Sequence, residues 1–534
     1  MLPPSLLRSD GKLAFSSSFL LGLLAVTAST ALYTINSRKT NNHKDKTDHA
    51  TQVAYLPSTP LLGNTLEAVA NTARFQDWIS DHSQERDGQP FAIRLLGKND
   101  IIYMAKPEHF EQVLKEQSSN FNKGPTMHEV YSDFMGEGIL LTNGDRWKCH
   151  RRVLVNLFSA RAPRDFMAPV IQKNVQVLTE VLSRASETKE LVDFYKLMNK
   201  FTFETFTEIG FGRKLRNLAS PDAHPFELAF DEVHRISGYR FTTPAWLWKL
   251  KRWLNVGSER RLRDSVVVIN EFLMDTIVGT MERRQHESVE AGGPTAKLDI
   301  VSIILDTMEA SGQIITPDDI RDIVFAGMIA GRDTTADALS WLMHALHNNP
   351  RVVKNLREEI LEKLPKFAES ESYVPSMDEV KGLLYLEATI RELLRLTPAA
   401  PTIPYQCVQE TVFPDGTFIR AGTSIMLSLY SAARLESVWG PDAASFVPER
   451  FIDAGTGELV QISSTPFVAF SAGPRVCVGR TLAMLELKLV TTCLVARFQL
   501  EEVDGQNVSY SRGVRLGMTN PLLMKVERIP VQNN

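Results

Sequence analysis

The chain has 534 residues, 43% of them hydrophobic and 23% charged, which is enough apolar side chain for a sizeable core. Its net charge of -4 argues against a nucleic-acid binder, a class that usually carries a basic excess. The four cysteines, Cys149, Cys407, Cys477 and Cys493, are scattered with no CxxC pair. That pattern excludes a clustered zinc site and a disulfide framework, and it fits a reducing compartment.

Residues 13–35, LAFSSSFLLGLLAVTASTALYTI, carry no charge and are long enough to cross a bilayer as a helix. Arg38, Lys39, Lys44 and Lys46 follow, whereas only Arg8 and Lys12 precede, with Asp10 between them. The positive-inside rule then places the C-terminal body in the cytosol. The alternative, a cleaved secretory signal, calls for a shorter apolar core and a disulfide-forming environment. We divide the chain accordingly: a lumenal tail (1–12), a transmembrane anchor (13–35), a basic and proline-containing linker (36–64) and one large globular unit (65–534). Within the linker, Pro57 and Pro60 of LPSTPLLGN stiffen the exit from the apolar segment.

In the body, apolar runs at residues 92–96 and 101–105 flank GKND and predict a β-hairpin. Pro107 opens a helix, PEHFEQVLKEQ, and most of the chain beyond it has helical periodicity. The clearest helix starts at TPDD. Thr316 caps it, Pro317 suits its first position, and Asp318 and Asp319 suit its positive end. It runs about thirty residues to NNP, far beyond the usual 11–12. Ile320, Ile323, Val324, Gly327, Ala330, Gly331 and Thr334 form one small-residue stripe along it. Gly331 costs about 1 kcal/mol in a helix interior, and polar residues follow it. Two readings stand: a solvated turn, or a place where something approaches the backbone closely. In the second, the Thr334 hydroxyl bonds back to the Ala330 carbonyl and bends the helix.

FSAGPRVCVG, residues 470–479, places Cys477 in a glycine-bearing loop just before an apolar helix. Glycines let a backbone approach a flat cofactor, and N–H groups at a helix start stabilise a thiolate. A nearby arginine can pair with a cofactor carboxylate. A lone cysteine there could equally be an inert buried thiol. The decisive feature is the pattern. Phe470, Gly473, Arg475, Cys477 and Gly479 fit F-x-x-G-x-R-x-C-x-G, and the chain thereby resembles the cytochrome P-450 family. AGRDTT (residues 330–335) is similar to the family's central-helix oxygen motif, and ELLR (392–395) to its E-x-x-R motif. FVPERF (446–451) resembles the segment that pairs with ELLR, and WKCHR (147–151) the W-x-x-x-R of the haem-facing helix.

The resemblance implies a mainly α fold with a smaller β region and a long central helix, carrying haem b. It implies that Cys477 is the axial thiolate on the haem iron, which favours O–O cleavage. Arg475, Trp147 and Arg151 would bond the propionates, Phe470 would pack near the sulfur, and Gly473 would allow the turn. Glu392, Arg395 and Arg450 would form a buried structural ionic cluster. Asp333 and Thr334 would be catalytic, handing protons to dioxygen. The family pattern also has a basic propionate partner just after the proline-rich turn that follows E-x-x-R. Here TPAAPTIPYQC puts Tyr405 or Gln406 near that place, and no partner is assigned.

No second domain for flavin or iron–sulfur clusters is visible in the sequence, so electrons must come from a partner. The resemblance implies NADPH-cytochrome P-450 reductase, with cytochrome b5 as a second candidate. Lys148, Arg151, Arg152 and Arg480 would offer such a partner a basic face. It further implies a single-pass protein of the endoplasmic reticulum membrane whose catalytic domain is cytosolic. Residues 134–152 and 240–262 resemble the family's fatty-acid ω-hydroxylase branch, which implies terminal hydroxylation of long-chain fatty acids. WLWKLKRWL within the second stretch also reads as an amphipathic helix on the core or on a membrane. Expected substrate contacts are the 131–141 loop, Phe325, Ala330, Thr402 and Ile403. Three alternatives remain open: another lipophilic substrate (alkane, sterol or xenobiotic), a hydroperoxide-rearranging haem-thiolate enzyme, and a non-catalytic haem-binding or sensor protein.

Overall fold

The computed structural model describes residues 51–158, 163–290, 300–311, 316–462, 465–511 and 513–530. The anchor expected at 13–35 lies outside them. No helix of the described residues is long and apolar enough to cross a membrane.

The helices that build the site are α1 (Pro125–Met135), α2 (Gly144–Leu157), α3 (Phe194–Phe211), α4 (Pro225–Thr242), α5 (Ala245–Leu254), α6 (Pro317–His347), α7 (Leu384–Leu396) and α8 (Arg480–Arg497). The strands are β1 (Thr51–Gln52), β2 (Ala54–Tyr55), β3 (Phe91–Ile93), β4 (Ile101–Met104), β5 (Phe121–Asn122), β6 (Val192–Asp193), β7 (Thr402–Cys407), β8 (Thr411–Val412), β9 (Thr417–Ile419), β10 (Ser424–Ser428), β11 (Phe498–Glu502) and β12 (Leu523–Arg528). They form a six-stranded sheet, β2-β3-β4-β10-β7-β5, and two three-stranded sheets, β1-β9-β8 and β11-β12-β6.

The hairpin across GKND is β3 and β4, antiparallel, with Phe91 opposite Tyr103 and Ile93 opposite Ile101. Residues 51–64, expected to be linker, belong to the body. Thr51 pairs with Thr417, Ala54 with Phe91, and Leu56 and Asn64 are buried. Two-residue strands carry almost no local signal, and their pairing comes from partners far along the chain.

α6 begins with a reciprocal capping box: the Asp319 N–H donates to Thr316 Oγ1, and the Thr316 N–H to the Asp319 carboxylate. The helix is unbroken through Gly331. The close approach expected at its glycines is made by a neighbouring side chain. A Cβ on Gly331 would stand 2.7 Å from the Phe206 ring of α3, and one on Gly327 would stand 3.3 Å from it. α3 is buried along nearly its whole length, which is why FYKLMNKFTFETFTEIGF shows no clean polar face. Asp193 caps it and Gly212, at φ 64°, ends it. α3, α6 and α8 share one hydrophobic core.

Candidate active site

The ligand loop is shaped by one glycine. At Gly473, φ is +62° and a Cβ would fall 1.9 Å from the Leu114 carbonyl oxygen. The loop then returns so that the Cys477 N–H donates to the Phe470 carbonyl (2.8 Å). α8 starts at Arg480, with Gly479 before it. Of the four cysteines, Cys407 and Cys493 are buried, Cys149 is intermediate, and only Cys477 is exposed by area. Its neighbours still crowd it enough for burial to raise the thiol pKa. The N–H groups of Gly479 and Arg480 and the Arg151 charge pull the other way.

Arg475 lies over the Trp147 ring, 4.6 Å from its centroid, and donates to the Thr142 carbonyl (3.0 Å) and to Asn143 Oδ1 (2.9 Å). Asn143 also accepts from the Lys123 N–H (2.9 Å) and donates to the Lys123 carbonyl (3.0 Å). Arg151 is placed differently from Arg475 and Trp147: it donates to the Val476 carbonyl, one residue before Cys477, and so braces the cysteine loop. Phe470 is half-buried, with the Arg480 guanidinium 5.6 Å from its ring centroid.

Glu392, Arg395 and Arg450 meet in the interior. Arg395 clasps Glu392 through two bonds (2.7 and 2.8 Å), and Arg450 and the Val447 N–H donate to Glu392 Oε1 at 3.0 and 2.8 Å. Arg395 also donates to the carbonyls of Ala433, Ala443 and Ser445. Each guanidinium nitrogen of Arg395 and both oxygens of Glu392 have partners, as burial of charge demands.

A cavity of about 1470 Å³ opens against α6 at Ile329, Ala330, Asp333 and Thr334. Typical ligand pockets hold roughly 300–1,000 Å³, so this one can take a large cofactor together with a substrate. Met135, Leu141, Thr402 and Ile403 line it, as does Tyr131, which sits in α1 and not in a loop. Phe325 does not reach the cavity. It is fully buried, edge-on to Phe134 and Phe230.

The Thr334 hydroxyl donates to the Ala330 carbonyl (2.6 Å), so its lone pairs are left for the cavity. Asp333 is fully buried in an ion network that the sequence did not reveal. His234 Nδ1 lies 2.8 Å, Arg332 Nη1 3.1 Å and Arg515 Nε 3.6 Å from its carboxylate. Arg515 also donates to both oxygens of Asp337 (2.7 and 2.8 Å), and Arg332 to Asp231 (2.7 Å). Burial would raise the Asp333 pKa, but Arg515, His234 and Arg332 outweigh it and hold the carboxyl well below its usual range. Asp333 is therefore a carboxylate, an acceptor and not a proton store. Glu486 of α8 is the opposite case. Burial pushes its pKa up to about 8, against a hydrogen bond with Thr335.

Residues 54–526 match the family model described as Cytochrome P450. The chain belongs to the cytochrome P450 family. Cytochrome P450 94A1 of Vicia sativa is 32% identical over 451 residues, 83% of this chain and 84% of that protein. Cytochrome P450 704B1 of Arabidopsis thaliana is 32% identical over 503 residues, 88% and 94% of the two chains. The crystal structure of the heme domain of cytochrome P450DA superposes with a TM-score of 0.75 over 91% of this chain and 99% of that one, at 19% identity, which speaks for the fold.

Membership of the cytochrome P450 family implies haem b, dioxygen, an organic substrate and an external electron donor. The residues present fit such a cofactor. A loop thiol is exposed, and two cations joined through Asn143, Lys123 and Arg475, face carbonyls and aromatic rings. No carboxylate pairs with either among the described residues. Half-buried cations with no carboxylate partner call for an anion, and haem carries two propionates.

Proposed function

We propose that this chain is a membrane-anchored monooxygenase that hydroxylates the terminal carbon of long-chain fatty acids. One oxygen atom of O₂ enters a C–H bond and the other leaves as water, with two electrons from NADPH and two protons. When bound, haem b would supply dioxygen activation, and Cys477 would hold its iron through the thiolate. Trp147 and Arg475 would hold its propionates, and Arg151 braces the cysteine loop through the Val476 carbonyl. Thr334 would orient a proton donor in the cavity, and Asp333, locked as a carboxylate, would hold His234, Arg332 and Arg515 around it without supplying the proton itself.

The observation that carries the substrate reading is the cavity. Met135, Leu141, Ile329 and Ile403 line it together with Thr334, and solvent-exposed Lys98 and Arg235 also belong to its lining. Each buried methylene contributes about 0.8 kcal/mol, so a long acyl chain can be held by its length while its carboxylate stays in the solvent-exposed part of the lining. The proposed electron donor is a membrane-bound NADPH-dependent flavoprotein reductase. It would dock on the face bearing Arg152 and Arg480, both exposed, with the body cytosolic at the endoplasmic reticulum.

The test is reconstitution with a reductase, NADPH and O₂ against fatty acids, alkanes and sterols. Predominantly terminal hydroxylation of long-chain acids supports the reading. Turnover confined to sterols, or oxygen scattered along the chain, removes the substrate assignment and leaves the monooxygenase.

A further inference from the structure

Much of the stretch 240–262 gathers around one side chain. Arg240 stands in the last turn of α4 and is buried, as are Trp248 of α5 and Glu259 of the helix Gly257–Glu290. Its guanidinium clasps the Glu259 carboxylate through two bonds (2.5 and 3.3 Å) and lies 4.6 Å from the Trp248 ring centroid. On its other side it reaches α1, donating to the Val130 carbonyl (2.8 Å) and pairing with Asp133 (2.7 Å). Asp133 in turn holds the exposed Arg252 of α5 (2.7 Å). The series Glu259, Arg240, Asp133, Arg252 alternates in sign, and four helices meet in it. An arginine's planar fork serves two carboxylates and a carbonyl while resting on an indole, which a lysine's point charge does not. Arg240 is not part of the cavity lining, but Tyr131 and Met135 of α1 and Tyr239 and Phe241 of α4 are. The Tyr131 and Phe241 rings meet with centroids 5.5 Å apart. One buried ion cluster thus sets where two walls of the cavity stand relative to each other.

We propose that Arg240 is a positioning residue for the oxidation: it fastens α1 to α4 and α5, so that these walls move as one body and keep a bound chain in register with Thr334. A long flexible chain is oxidised at one carbon only when the walls around it do not drift. The proposal rests on the fatty-acid reading for its choice of substrate probe and on the ion cluster for everything else. Neutralising Asp133 releases α1 alone, whereas altering Arg240 releases α1 and also strips the buried Glu259 of its cation.

The test uses the holoprotein. Hydrogen exchange is read by mass spectrometry, and palmitate release by the decay of its substrate-induced spectral shift after dilution. The variants are Asp133→Asn and Arg240→Lys, with Lys249→Ala as the control, since the Lys249–Glu129 pair also joins α5 to α1 but is exposed. In both variants, exchange over residues 125–135 and palmitate release should be at least about tenfold faster than in wild type. Residues 470–479 and the haem content should be unchanged, the KM for palmitate should rise, the terminal fraction of product should fall, and the control should match wild type. Asp133→Asn, which keeps the clasp of Arg240 on Glu259, carries the test where Arg240→Lys does not accumulate. Unchanged exchange over 125–135 in a folded Asp133→Asn overturns the proposal. So does faster exchange that extends equally through 470–479, because the cluster would then serve stability alone. A wild type that shows no palmitate shift counts against the fatty-acid reading, and the exchange results then decide the role of Arg240.

Discussion

Gly473 and Leu114 lie so close that a single methyl group on the glycine would overlap the Leu114 carbonyl oxygen. The obstruction is backbone, which cannot rotate away, and φ is already in the left-handed region. Gly473→Ala should therefore push the cysteine loop out of place. The expected result is a folded protein with at least about tenfold less haem per chain, the loop strain being of order 1–3 kcal/mol before any clash. The Soret-to-protein absorbance ratio measures it.

If Cys477 is the axial ligand, the reduced carbon-monoxide complex should show the red-shifted Soret band of thiolate ligation. Cys477→Ala should abolish that band. Cys149→Ala, Cys407→Ala and Cys493→Ala should keep it, because none of those thiols is exposed.

Thr334→Ala removes a hydroxyl already bonded to the Ala330 carbonyl. The haem should stay, and NADPH consumption should continue. Most of the reducing equivalents should appear as hydrogen peroxide in place of product. Peroxide and product assays on the same sample decide this; a fully coupled variant would show that the hydroxyl only shapes the helix.

Breaking the Glu392 cluster should cost about 3–5 kcal/mol, since the buried Arg395 guanidinium loses its anion and Arg450 is left with Asp442 alone. Glu392→Ala is expected to lower the melting temperature sharply or to prevent accumulation of holoprotein. The exposed pair Lys148–Asp145 is the control, and its removal should change stability by no more than about 1 kcal/mol.

Glu486 gives a pH signature. Its folded pKa of about 8 stands above the unfolded value near 4.3. The folded state thus binds the proton more tightly, so its contribution is present below about pH 4.3 and is lost progressively as pH rises toward 8. Glu486→Gln, which stays neutral throughout, should flatten that decline. Melting temperatures at pH 5.5 and 8.5 test it: the gain of the variant on wild type should be clearly larger at the higher pH than at the lower.

The motifs were legible because each is contained in a few consecutive residues and carries its own chemistry. The capped central helix and the GKND hairpin were legible for the same reason. The ion network around Asp333 was not. Its partners come from α4 and the C-terminal loop: Asp231 stands 101 residues before Arg332, and Arg515 stands 178 after Asp337. Lys123 has no local mark, being one lysine after a short strand, and only the β5–β7 pairing shows what it faces. Residues 51–55 look like linker in the sequence because strands of two residues lack a period. Phe325 looks like a substrate contact because its position along α6 is near Ala330, although its side of the helix faces the aromatic core.

The ring of Phe206, seated between Gly327 and Gly331, acts as a pawl between two teeth. Sliding α6 by one residue, a translation of about 1.5 Å with a turn of about 100°, would bring Met328 or Arg332 against that ring. Neither can be accommodated where a single Cβ is already too much. The two helices must therefore travel together or not at all. Any change of cavity shape when a substrate enters then falls to the other lining elements, such as α1 and α4, while the helix bearing Thr334 keeps its register.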